Sequence, residues 1–125
     1  MRRVMNSAPL AALLLGWAAA ATPPAAHAAS QDGNWSVLII TEKGDCDRGY
    51  RYSVNVSNGR VSYQGDAAVN LTGTVATNGT VKVSIKFGEQ GASGTGRLNG
   101  SAGAGTWHGI GSKGSCAGRW EAERR

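Results

Sequence analysis

The dipeptide Asn-Gly stands at 58–59, 78–79 and 99–100, recurring every 20 or 21 residues, and each copy separates two segments in which apolar and polar residues alternate. Asn-Gly favours the two-residue type I′ hairpin turn. Alternation sends successive side chains to opposite faces, as a strand with one buried side requires. The clearest cases are Tyr50-Arg51-Tyr52-Ser53-Val54-Asn55-Val56-Ser57 and Val81-Lys82-Val83-Ser84-Ile85-Lys86-Phe87. Weaker alternation at 35–41, 61–63, 69–75, 92–98, 105–109 and 116–122 completes a prediction of eight short strands and no helix. Strands joined by such turns run antiparallel. The Asn-Gly turns therefore share one end of the sheet, and the connections 42–49, 65–68, 88–91 and 111–115 share the other.

The first 28 residues follow a different rule. Met1-Arg2-Arg3 is a basic start, the apolar run 10–21 is too short to span a bilayer, and Ala26-His27-Ala28 is a small-residue cleavage site. This reads as an export signal, leaving one domain over residues 29–125 and an exported, periplasmic or extracellular location, with no membrane span after cleavage. The whole chain carries 13 Lys+Arg against 8 Asp+Glu, a net +5. Removing Arg2 and Arg3 with the signal lowers this to +3 over 97 residues. All three prolines leave as well, while 18 of the 19 glycines stay, which suits a β-sheet with tight turns.

A domain of this size builds one small core and benefits from a covalent staple. Cys46 falls in the first long connection and Cys116 opens the last strand, both at the end away from the Asn-Gly turns. In an exported chain with two cysteines a disulfide is expected, and these two meet only if the eighth strand returns beside the first. The fold class is then a small antiparallel up-and-down β-barrel without free edges. The inward parity collects Trp35, Val37, Ile39, Tyr50, Tyr52, Val54 and their counterparts, with Gly94, Gly96, Gly105 and Gly109 on the sixth and seventh strands. Those glycines either let Trp107 and other large neighbours fill the middle or leave a pocket. The expectation is a filled interior, because eight short strands barely enclose a core.

Gly33-Asn34-Trp35 at the first strand, with Arg124 and Arg125 just past Trp120 on the last, resembles the signature of the calycin superfamily, which includes lipocalins, avidins and small bacterial metalloprotease inhibitors. The resemblance implies an eight-stranded meander closed at one end by a basic side chain over the first-strand tryptophan. Trp35, Trp120 and Arg124 would form that closure, with Arg124 in cation–π contact. The segment Cys116-Ala117-Gly118-Arg119-Trp120-Glu121-Ala122-Glu123-Arg124 is also similar to the ends of glycine-rich exported bacterial proteins of uncharacterised function.

Catalytic chemistry finds little material. His108 is the one histidine after residue 28 and lies in a glycine-rich strand. Glu42, Asp45 and Asp47 lack the spacing of a calcium loop, and a zinc site would need more than one histidine or a free thiolate. No metal, no cofactor and no enzymatic activity are expected. Nucleic acid is not expected as a partner either, since the basic residues are scattered and the aromatic ones point inward. The outward run Arg51, Ser53, Asn55 excludes a lipid-facing barrel. The expected function is an exported, non-enzymatic binding or interaction protein that uses the loops at its disulfide end to meet an unidentified protein or envelope component. Two alternatives stay open. One is a secreted protease inhibitor, implied by the resemblance. The other is a carrier of a small apolar ligand, with Trp35, Tyr52, Trp107 and Trp120 around the pocket. Leu38, Ile40 and Ile110 break the alternation outward and form a candidate patch for a partner or homodimer.

Overall fold

A computed structural model describes residues 31–65 and 68–125; the expected export signal, and Asp66 and Ala67 in the second long connection, lie outside the described residues. Eight strands follow in order: β1 (Gly33–Lys43), β2 (Gly49–Ser57), β3 (Arg60–Tyr63), β4 (Asn70–Val75), β5 (Thr80–Phe87), β6 (Gln90–Asn99), β7 (Ala102–Gly111) and β8 (Gly114–Arg124). Each pairs antiparallel with its neighbours, and β8 pairs with β1 to close a barrel. The described residues contain no α-helix.

The register measures how far the strands tilt. Inward-facing partners lead from Thr41 through Gly118, Trp107, Gly94, Val83, Gly73, Val61 and Val56 back to β1 at Gly33, eight residues from the start. Eight strands with an offset of eight tilt by about 36°, a geometry whose interior side chains ordinarily fill.

Three turn chemistries occur where one was expected. Asn58 and Gly59 both have positive φ, 52° and 80°, and form the type I′ turn. At the other two Asn-Gly steps only the glycine has positive φ. Asn99 pairs with Ala102, so Gly100 becomes the first central residue of a Gly-Ser loop, the type II′ arrangement. Asn78 uses its side-chain oxygen to accept from the Thr80 amide at 3.0 Å within a longer loop. Asn-Gly thus marked each hairpin correctly, while the register decided which residues became central.

The Asn-Gly end is densely packed. Trp35, Val54, Val56, Val61, Val75, Val81, Leu98, Trp120 and Ala122 form its buried core. Arg124 lies over the Trp35 ring, 4.8 Å from its centroid, and donates to the carbonyls of Asp32 and of Gly100, the latter at 3.1 Å. The Trp35 indole N–H donates to Gln31 O at 3.0 Å. At the opposite end Cys46 and Cys116 are joined, 70 residues apart in sequence, tying the β1–β2 loop to β8.

Candidate functional site

The expected filled interior is corrected at the disulfide end. There the lumen opens into a cavity of about 380 Å³, within the range of small-molecule sites. Val37, Ile39, Tyr52, Leu71, Val83 and Trp107 all face inward yet are only partly buried, because they border this space rather than one another. Among the described residues, no Asp, Glu, Lys, Arg or His side chain lines it.

Glycine explains why a lumen of this register is not full. Trp120 lies flat against β7 and β6: a Cβ at Gly105 would stand 2.6 Å from the indole nitrogen, and one at Gly96 would collide with the ring. The ring's N–H donates to Thr95 O at 3.2 Å. Trp107 lies the other way, across β8, and donates to Ile40 O at 3.0 Å. A side chain at Gly118 would collide with that same carbonyl oxygen, and β1 carries a bulge between Thr41 and Lys43 beside it. Two bulky indoles are thereby laid along the wall instead of across the lumen.

The facing wall is phenolic. Tyr50 and Tyr52 have ring centroids 6.1 Å apart, and Tyr52 meets Tyr63 edge-on at 5.8 Å. Burial raises the pKa of Tyr52 above the ordinary 10.0, with further contributions from Tyr50 and Tyr63. Burial also raises that of Tyr50, helped by the Asp47 carboxylate. These phenols stay protonated at neutral pH and remain hydrogen-bond donors.

The large hydrophobic side chains that solvent reaches are Tyr50, Phe87 and Ile110, at 40%, 50% and 60% exposure. All three border the cavity at its mouth. Exposed apolar side chains gathered at one opening are a more informative pattern than scattered ones.

All four residues read as a pocket from the sequence, Trp35, Tyr52, Trp107 and Trp120, line the cavity; Trp35, only 2% exposed, and Trp120 are also part of the buried core that floors it. Trp35 and Arg124 meet directly; Trp120 contributes to the core beside them. The three outward residues are not brought together. Leu38 and Ile40 lie half-buried on β1 opposite Glu121 and Arg119, and Arg119 is paired with Glu42 at 2.8 Å. Ile110 stands opposite Ser115, at the mouth. His108 is exposed on β7 between Ser93 and Ala117. Among the described residues no group of three or more His, Cys, Asp or Glu side chains is placed to hold a metal ion.

Alternation alone does not reveal the mouth: Phe87 and Tyr50 share the inward parity of core residues, and only their positions at strand ends mark them as bordering an opening.

No protein-family model, curated protein or solved structure matches this chain.

Proposed function

We propose that this is an exported, non-catalytic binding protein whose open lumen holds a small apolar molecule. The observation that carries the reading is the cavity of about 380 Å³, mainly apolar, with Gln90, Ser93 and the tyrosines as its polar lining and, among the described residues, no Asp, Glu, Lys, Arg or His. Burying apolar surface there is favourable by about 25 cal/mol per Å² removed from water, and among the described residues the lining offers no base positioned beside a nucleophile, as catalysis demands. The carrier reading thus moves ahead of contact through the disulfide-end loops alone, although those loops frame the mouth and control access to it. The calycin resemblance supports it, since Arg124 over Trp35 and the closed eight-stranded meander are the features it implies. The disulfide is compatible with an oxidising, exported location.

The test is native mass spectrometry of protein purified from its own host, followed by extraction. A retained small apolar molecule, lost on denaturation, is the expected result. Protein that arrives empty and shows no change in tryptophan fluorescence with any apolar probe would overturn the proposal.

A further inference from the structure

The two long walls of the lumen are chemically unlike, and that difference specifies more than apolar character. On β6–β8 the indoles of Trp107 and Trp120 lie along a glycine surface with both N–H groups engaged by wall carbonyls. A ligand meets carbon faces at these two rings, while Gln90 and Ser93 of β6 add polar groups to the same lining. On β2 and β3, two or three strands round the barrel from Trp120 and three or four from Trp107, stand Tyr50, Tyr52 and Tyr63. Among the described residues the hydroxyl of half-buried Tyr52 makes no hydrogen bond, although it is a donor in an apolar cavity. A slot with flat π surfaces on one side favours a flat occupant, because offset-stacked and edge-to-face ring contacts add to simple area burial. A partly buried donor without a partner favours an acceptor on that occupant. A lining without a charged group among the described residues disfavours an ion, which would lose its hydration without compensation.

Building on the carrier reading, we propose that the lumen selects an uncharged, planar aromatic compound with one hydrogen-bond acceptor, an aryl ketone being the simplest form, placed between the indole wall and Tyr52.

Four probes on one skeleton separate the components by calorimetric titration of the intact, disulfide-bonded protein. They are 2-acetylnaphthalene, 2-ethylnaphthalene without the acceptor, 2-ethyldecalin without the planarity, and 2-naphthoate with a charge. The ketone is expected to bind tightest, with each other probe weaker by roughly tenfold or more. Tyr52→Phe is expected to abolish the preference for 2-acetylnaphthalene over 2-ethylnaphthalene while leaving 2-ethylnaphthalene unchanged. Equal binding of 2-ethyldecalin or of 2-naphthoate overturns the inference but leaves apolar carriage standing. An acceptor preference that survives Tyr52→Phe removes the role of Tyr52 and with it the inference as stated. Failure of all four probes overturns both this proposal and the carrier reading.

Discussion

Trp107 donates its indole N–H to the backbone oxygen of Ile40, 67 residues earlier and two strands away, at 3.0 Å. The bond passes over Gly118 on the intervening strand. It fixes the ring against the wall, and so the width of the lumen depends on the glycine beneath it as much as on the tryptophan itself.

Alanine at Gly105 would place a methyl carbon against the Thr95 carbonyl and 2.6 Å from the Trp120 indole nitrogen. The nearer clash is with the Thr95 carbonyl, so the β6–β7 ladder must shift locally and the indole resting on it must move as well. Gly105→Ala is expected to destabilise the domain by about 1–3 kcal/mol, lowering Tm by roughly 4–8 °C for each kcal/mol, and to weaken probe binding because the displaced indole occupies the lumen. Thermal unfolding and a 2-acetylnaphthalene titration on the same sample check both. A variant with native Tm and native affinity would contradict this account of the glycine wall.

Reduction of the Cys46–Cys116 bond opens a loop of 70 residues. Restoring that freedom to the unfolded chain lowers stability by about 4 kcal/mol on loop-closure grounds. Urea unfolding with and without reductant measures it, and the paired change to serine should give the same midpoint as the reduced protein.

Arg124 joins Trp35, Asp32 and Gly100 at the packed end. Arg124→Ala removes a cation–π contact and charge-assisted hydrogen bonds together, an expected loss of about 1–3 kcal/mol. Arg124→Lys keeps the charge but loses the planar fork that reaches two carbonyls at once, and falls between. Equal stability of all three proteins by chemical denaturation would show that the closure contributes nothing.

Phe87 and Ile110 are half or more exposed, so replacing either with aspartate costs little folding energy, within about 0.5 kcal/mol. Both border the mouth. The expected result is weaker and slower uptake of neutral naphthalene probes with unchanged Tm, read by stopped-flow tryptophan fluorescence. Unaltered uptake in both variants would place access elsewhere.

Alkaline pH supplies a test of the tyrosine wall. Tyr50 and Tyr52 have pKa values raised above 10.0 by burial first and neighbouring groups second. The native state therefore holds these protons more tightly than the unfolded chain does. Their stabilising contribution is complete below pH 10 and is lost as pH rises from there through the native pKa values. Ultraviolet titration of phenolate should show late-titrating tyrosines in the native protein that become ordinary on denaturation, with unfolding midpoints falling over the same range.

The strand count, barrel closure and disulfide were legible because each depends on local alternation, turn dipeptides and the parity of two cysteines. The lumen was not. Its state rests on which way Trp107 and Trp120 turn, and alternation says only that both point inward. Gly96, Gly105 and Gly118 share that parity, but pairing a particular ring with a particular glycine requires the register around the whole barrel. The same limit separated Ile110 from Leu38 and Ile40: an outward residue is easily recognised, whereas its distance from another outward residue depends on strand offset.

Packing and opening occupy opposite ends of one short barrel. Side-chain packing is concentrated where Val56, Val61, Val75, Val81 and Leu98 meet above the Asn-Gly turns, while at the other end the disulfide holds the barrel and exposed rim side chains such as Phe87 and Ile110 pack little. Amide protons near those turns should outlast those beside the mouth in exchange with solvent. Replacements of exposed side chains around the mouth can accumulate without threatening the fold, so the chemistry of the opening is free to change while the packed half keeps the scaffold.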